Sequence, residues 1–312
     1  MPSLFGDGWP IVQDQLELEI VLEQHPGIDP YFIASACIPD RRVRFETLWE
    51  RFAPYADNDF RHQADRNFHA RSWEMYLGVI MLERGMSIRR PSRGEPDIRV
   101  VAPVPLWMEA VAVTPGVGDD AVDVELDRAS EFVTRAYPED GFLLRVCGAL
   151  TDKRRQLAHR LESGAVDETV PYVIAVNTSA MNVLDLDPPI AVRAAFGIGH
   201  LAVPLQGGAP FLQAQAEVPK ASGASVPLGL LLGDDYAPVS ALVFSNRDVL
   251  NHPEPLGEDL YVVHNPRALQ PLPDDLFGEL VEYRLDERSS TLSVRRPRGR
   301  DAVEKEAQSH PS

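Results

Sequence analysis

The sequence is short of cysteine, of long apolar runs and of lysine. Its 312 residues include two cysteines, Cys37 and Cys147, each alone among apolar neighbours, which argues against a disulfide framework or a zinc cluster. No run reaches the about 18 apolar residues that a membrane helix needs. Residues 1–13 lack a basic segment followed by a long apolar stretch, so no secretory signal is expected. We therefore expect a cytoplasmic protein without a membrane partner.

Positive charge is scarce. The formal net charge is −17, and only three of the 30 cationic residues are lysines: Lys153, Lys220 and Lys305. Phosphate backbones are bound by cationic surfaces, so this balance argues against strong non-specific binding of nucleic acid. The arginines are clustered, for example at 89–93 and 295–300, which leaves room for local cationic surface. A reaction that requires a lysine has few candidates.

Apolar periodicity and turn residues predict alternating helices and strands between about residues 65 and 180. The predicted helices cover 13–24, 48–52, 65–85, 119–137 and 150–163 over the whole chain, and the predicted strands cover 87–89, 97–101, 106–113, 141–148, 171–177, 239–245 and 260–264. This alternation is typical of an α/β fold in which a mixed sheet is flanked by helices.

Four regions are predicted. Residues 1–64 form a partly helical extension, and residues 65–180 form the α/β core. Residues 181–294 add strands and an insertion that is rich in Pro, Gly and Ala over 185–235. The polar, charged residues 295–312 are expected to be disordered.

Two acidic residues occur in neighbouring apolar strands. Asp97 stands at the start of one predicted strand, and Glu109 lies in the next, with residues 102–105 as the connection. A carboxylate in an apolar strand is costly unless it is paired or binds a cation. Two such carboxylates side by side suit a hard divalent ion such as Mg²⁺ or Mn²⁺. The alternative is that Asp97 caps a turn and Glu109 pairs with an arginine.

Glu74 belongs to the helix that precedes these strands. It shares a helix face with Leu77, Gly78 and Met81, which is expected to point toward the core. An inward Glu74 is a third candidate metal ligand. The alternative is an ion pair with Arg71.

The order of a helix glutamate, a Pro-Asp pair (Pro96 and Asp97) and a strand acid resembles the PD-(D/E)xK nuclease superfamily. The resemblance covers about residues 65–180. It implies a restriction-endonuclease-like core, a Mg²⁺ or Mn²⁺ cofactor, and Asp97, Glu109 and Glu74 in the metal site. In this family a lysine two residues after the second acid positions or activates the attacking water.

The sequence departs from the family pattern at that lysine, because Val111 occupies the position. One explanation is migration of the lysine to another element, and Lys153 is the candidate, in the predicted helix after strand 141–148. Lys153 as a plain surface residue is the alternative. The other explanation is a site that is weakened and retained for binding.

Three functions follow for testing. The first is metal-dependent phosphodiester hydrolysis of DNA or RNA, with Glu74, Asp97, Glu109 and Lys153 as the catalytic set. The second is a catalytically inactive nuclease-like protein that binds nucleic acid or a protein partner. The third, a two-carboxylate sugar hydrolase, is weakened by the aromatic content of 8%. Arg145 is a candidate phosphate clamp, or the partner of a buried acid.

Overall fold

The computed structural model describes residues 2–123, 137–181, 183, 187–202, 211–248, 251–289 and 291–297. Seven α-helices are found in these residues: α1 (Gln15–Gln24), α2 (Pro30–Cys37), α3 (Pro39–Phe52), α4 (Phe60–Ala64), α5 (Phe68–Glu83), α6 (Glu139–Glu162) and α7 (Ile190–Phe196). None of the described helices combines the length and the apolar character that crossing a membrane requires.

Twelve strands occur in the same part of the chain: β1 (Ser87–Arg89), β2 (Ile98–Ala102), β3 (Leu106–Ala112), β4 (Tyr172–Asn177), β5 (Ile198–Ala202), β6 (Phe211–Ala214), β7 (Glu217–Pro219), β8 (Ser225–Pro227), β9 (Ala241–Ser245), β10 (Tyr261–His264), β11 (Val281–Asp286) and β12 (Thr291–Arg295). Eight of them form one sheet in the order β1-β2-β3-β4-β9-β10-β11-β12, and β5-β6 and β7-β8 form two small hairpin sheets. The predicted α/β fold with a large mixed sheet is therefore confirmed.

Strand direction changes across the large sheet. Strands β1, β2 and β3 form an antiparallel meander, whereas β4 and β9 run parallel to β3. Beyond β9, strand β10 is antiparallel to β9, β11 is parallel to β10, and β12 is antiparallel to β11. Antiparallel neighbours need only a short turn, whereas the parallel step from β3 to β4 requires the crossover that α6 provides.

Helices cover both faces of this sheet. Met108 and Ala110 of β3 pack into one core with α5, and we call this the α5 face. Trp107 of β3 packs into a second core with α6 and α7, and we call this the α6 face. Because both faces are covered, the central strands are mostly apolar, and every residue of β4 is buried.

Helix α5 is held tightly against α3. A Cβ atom at Gly78 would overlap the ring of Phe52, so the absence of a side chain at Gly78 allows this close approach. The helix ends at Glu83, and Gly85 follows in the left-handed region with a φ of 72°. The sequence predicted both this helix and its glycine stop.

The predicted strand over 141–148 is wrong. These residues belong to α6, which continues through Lys153 to Glu162 as one helix of 24 residues. The buried residues Phe142, Leu143, Val146 and Leu150 recur at helical spacing, but a short apolar run between two glycines fits a strand equally well. Lys153 therefore lies in the second half of a long helix and not at a helix start.

Other boundaries also differ from the prediction. Strands β11 and β12 were not predicted, and β12 reaches Arg295, the first residue of the expected disordered tail. Residues 298–312 of that tail, and residues 124–136 of the predicted helix over 119–137, lie outside the described residues.

Glu282 of β11 is a buried carboxylate that links the last three strands of the large sheet. His264 Nε2 lies 3.0 Å and Arg295 Nη2 lies 2.7 Å from its oxygens, and the Asp275 backbone N–H donates to it over 3.2 Å. Burial by itself raises the pKa of this group, but the hydrogen bond and charge of His264, with Arg295, lower the pKa to about 2.

We expect Glu282 to make the protein sensitive to acid. Because its folded pKa lies below its ordinary value of 4.5, its stabilising effect is complete above that value and is lost as the pH falls toward 2. Between about pH 5 and about pH 3, the unfolding free energy of wild type should fall by on the order of 1–2 kcal/mol more than that of Glu282→Gln. Urea unfolding across this range measures the effect, with the exposed Glu279→Gln as control. An unchanged pH dependence in Glu282→Gln would contradict the assignment.

Candidate active site

Asp97 lies directly before β2, close to Glu109 of the neighbouring antiparallel strand β3. The last pair at this end of the ladder joins Ile98 to Met108, and Asp97 is the residue before Ile98. The backbone N–H of Ala110 donates to Asp97 Oδ2 over 2.8 Å, which fixes the orientation of the Asp97 carboxylate. The hairpin thus brings together the two acids that the sequence singled out.

Two cations from α6 contact Glu109. Lys153 Nζ donates to Glu109 Oε1 over 2.7 Å, and Arg160 Nη1 donates to Oε2 over 2.5 Å. Lys153 and Arg160 are seven residues apart, which is about two turns of helix, so they share one face of α6. The Glu109 side chain is only 2% exposed, and an ionised carboxylate at such depth requires partners of this kind.

Lys153 contacts Glu109 from α6, and the migration of the motif lysine to this position stays a prediction. Val111, at the position where the family pattern has lysine, is a half-buried residue of β3 that packs on the α6 face. Lys153 reaches the same acid from the helix that covers this face. Its side chain is 17% exposed, so Lys153 is not a plain surface residue. As a compact ammonium it carries three donors, of which one is directed at Glu109.

Arg160 is a site residue that the sequence analysis missed. Besides Glu109, its guanidinium donates to the Gly94 carbonyl over 3.1 Å and to Tyr172 Oη over 3.2 Å. Burial works against its charge, but the Glu109 carboxylate raises the pKa of Arg160 above its ordinary value. Arg160 therefore joins α6 to the loop that precedes Asp97. Its spacing of seven residues from Lys153, about two helix turns, is the one sequence signal that pointed to it.

Glu74 lies on the other side of the sheet. It belongs to α5, which packs on the α5 face, whereas Glu109 contacts α6. Its side chain is 3% exposed, as predicted for an inward residue, and Arg71 Nη1 donates to its Oε2 over 2.5 Å. Burial and the nearby Asp97 charge raise the pKa of Glu74 well above its ordinary value. Glu74 is thus electrostatically linked to Asp97 and forms the ion pair with Arg71 that was its alternative role, and its part in metal binding stays a prediction.

Of the acids Glu74, Asp97 and Glu109, Asp97 has the fewest partners that stabilise its negative charge. Burial and the Glu109 charge raise the pKa of Asp97 to about 6, although Lys153 and the Ala110 N–H act in the opposite direction. Among the described residues it forms no ion pair within 4.0 Å, and its single hydrogen bond comes from the Ala110 N–H. Oδ1 therefore has no partner in the described part of the chain. A carboxylate in this state favours the approach of a cation.

The residues present fit a divalent ion held by two carboxylates. Asp97 offers Oδ1, and each oxygen of an ionised carboxylate has about two acceptor positions, so Glu109 Oε2 retains one beside its bond from Arg160. In the described part of the chain, no three His, Cys, Asp or Glu side chains gather at metal-binding spacing. An ion here would therefore complete its coordination with water and substrate, as Mg²⁺ commonly does.

In comparisons with known proteins, no protein-family model, curated protein or solved structure matches the chain.

Proposed function

We propose that the protein is a divalent-metal-dependent nuclease of the PD-(D/E)xK type. The observation that carries the proposal is the closeness of Asp97 to Glu109 at the β2–β3 hairpin, with Lys153 hydrogen-bonded to Glu109 from α6. The order of elements supports it: helix α5, the Pro96-Asp97 pair, the Glu109 strand, helix α6 and then the parallel strand β4. The two buried free cysteines suit a reducing cytoplasm.

Each side chain of the site then has a defined task. Asp97 and Glu109 would hold Mg²⁺ or Mn²⁺, which when bound activates water and offsets charge on a phosphate. Lys153 has two donors beyond its bond to Glu109, and they orient the attacking water and the phosphate oxygen. Arg160 keeps the Glu109 carboxylate in one orientation through its contacts to both oxygens. Preorganised donors of this kind stabilise developing negative charge at little reorganisation cost.

One observation favours a second candidate, a catalytically inactive nuclease-like protein that binds nucleic acid or a protein partner. Both oxygens of Glu109 already accept hydrogen bonds from Lys153 or Arg160. Arg71 pairs with Glu74, so two of the three acids, Glu74 and Glu109, already have cationic partners without a metal ion. The net charge of −17 also disfavours unaided binding to nucleic acid.

A cleavage assay with a matched variant separates the two candidates. Single- and double-stranded DNA and RNA are incubated with Mg²⁺ or Mn²⁺ and with wild type, Asp97→Ala or Asp7→Ala, since Asp7 is exposed and outside the site. We expect metal-dependent cleavage by wild type and Asp7→Ala, and a loss of about 100-fold or more in Asp97→Ala. Calorimetry with Mn²⁺ on the same proteins should show binding that Asp97→Ala lacks. Absence of both cleavage and Mn²⁺ binding in wild type would favour the inactive protein.

A further inference from the structure

A cavity of about 310 Å³ lies beside Lys153, between the end of β3 and helix α6. Its lining includes Val111, Val113, Arg145, Ala149, Lys153 and Gln156. Three of these six residues carry hydrogen-bond donors, and the others are small or apolar, so a polar group could approach the donors closely. Lys153 connects the cavity to the proposed metal site, because it lines the cavity and contacts Glu109.

Arg145 is held against the backbone at one end of this cavity. Its Nε donates to the Thr114 carbonyl over 2.9 Å. Gly116 has a φ of 85°, and a Cβ atom there would lie 2.6 Å from the guanidinium carbon, so a side chain at this position would displace Arg145. Within the described residues, the two Nη atoms form no hydrogen bond or ion pair. Arg145 is thus oriented through one nitrogen, and its two remaining nitrogens are available to a ligand.

Arg145 supplies the uncompensated positive charge of the cavity, because the charge of Lys153 is offset by Glu109. Arg145 and Lys153 line it together and are eight residues apart on α6, a rise of about 12 Å that two long side chains can bridge. The acid on its lining, Asp152, accepts a hydrogen bond from Arg155 over 3.0 Å, which offsets its charge. An anion is the ligand that such a set of donors favours, and arginine suits phosphate through paired N–H donors.

Val111 forms part of the wall at the place where the family pattern has a lysine. A lysine side chain there would extend into the space between β3 and α6, whereas valine leaves it open. The cavity therefore exists because position 111 carries a valine, while the lysine that contacts Glu109 comes from α6.

We propose that this cavity binds a second phosphate of the nucleic acid strand, one that neighbours the phosphate at the metal site, with Arg145 as its main ligand. The proposal rests on the proposed nuclease function for the identity of the ligand, but the binding itself requires no metal. It makes a strand with at least two phosphates the preferred substrate class. Arg145 is a substrate-binding residue in this arrangement and not a catalytic one.

The test is a binding measurement without divalent ions, so that no cleavage occurs. Fluorescence anisotropy follows a labelled single-stranded DNA of about six nucleotides in EDTA, with wild type, Arg145→Gln and Arg66→Gln. Arg66 is 69% exposed on its side chain and lies outside the cavity, so its variant removes the same charge elsewhere. We expect Arg145→Gln to weaken binding about tenfold, because one charge-assisted contact is lost. Arg66→Gln should change it less than about twofold, and inorganic phosphate should compete in wild type.

A second variant keeps the test decisive if Arg145→Gln fails to fold. Gln156 is exposed at the cavity, so Gln156→Glu introduces a negative charge with little effect on packing, and it should also weaken binding. Equal weakening by Arg145→Gln and Arg66→Gln would overturn the proposal, as would wild type that binds neither probe. Mn²⁺ calorimetry on Arg145→Gln reports separately on the metal site, which should be unchanged.

Discussion

Replacement of Lys153 by methionine is expected to lower kcat of metal-dependent cleavage about 100-fold or more, the range for loss of a group that positions or transfers a proton. Mn²⁺ binding should remain, because Asp97 and Glu109 are still present. The Glu109 carboxylate does not lose all compensation in this variant, since Arg160 contacts both of its oxygens. Loss of activity with retained metal binding would therefore report on Lys153 itself and not on a collapsed site.

The structure also provides a rescue experiment. Val111 follows Glu109 by two residues in β3 and packs on the α6 face, so Val111→Lys returns an ammonium to the position where the family pattern has it. We expect the double variant Lys153→Met with Val111→Lys to recover part of the lost rate. Lys220→Met is the control, because Lys220 is exposed in the turn between β7 and β8. Full activity in Lys153→Met would refute the migration of the lysine, and loss of Mn²⁺ binding would give Lys153 a purely structural role.

Asp97→Asn is expected to make the metal-free protein more stable. The folded pKa of Asp97 is raised to about 6 from an ordinary 3.8, so the ionised carboxylate lowers the unfolding free energy above that pH. Asparagine keeps the acceptor for the Ala110 N–H and removes the repulsion by Glu109. The gain should be roughly 1–3 kcal/mol, because one pKa unit corresponds to about 1.4 kcal/mol. For a chain of this size that is a rise in Tm of about 2–6 °C.

The stability difference between Asp97→Asn and wild type should depend on pH. The advantage of Asp97→Asn should be small near pH 4, grow as the pH rises through about 6, and stay constant above it. Thermal unfolding in EDTA at several pH values measures it, with Asp7→Asn as the matched exposed control. Mn²⁺ should raise the Tm of wild type and leave that of Asp97→Asn unchanged. A variant that is less stable than wild type would show that Asp97 is compensated in the folded protein.

Local sequence features were sufficient for the acidic hairpin. The spacing between Asp97 and Glu109, with prolines in the connection, fits two short antiparallel strands, and the structure contains this hairpin. The hairpin brings Asp97, the residue before β2, close to Glu109 of β3. Helix α5 was equally predictable, since its apolar residues recur at helical spacing before Gly85.

The rest of the site depends on tertiary packing that local patterns do not contain. The apolar run over 141–148 fits a strand or a helix, and only its burial between β3, β4 and α7 decides for α6. The separation of Glu74 from Glu109 depends on which face of the sheet each helix covers. Arg160 acts through contacts with residues 66, 51 and 12 positions away, and no local pattern encodes such distances.

The location of Lys153 on helix α6 affects which substitutions this protein should tolerate. In a Glu-x-Lys strand, backbone geometry alone sets the spacing between acid and amine. Here that spacing depends on how α6 sits on the sheet through buried residues such as Leu150 and Leu157. A conservative substitution among these buried residues would shift the Lys153 ammonium relative to Glu109. Under the proposed function, the cleavage rate should therefore respond to uncharged substitutions in α6, which would not displace a lysine carried by the strand itself.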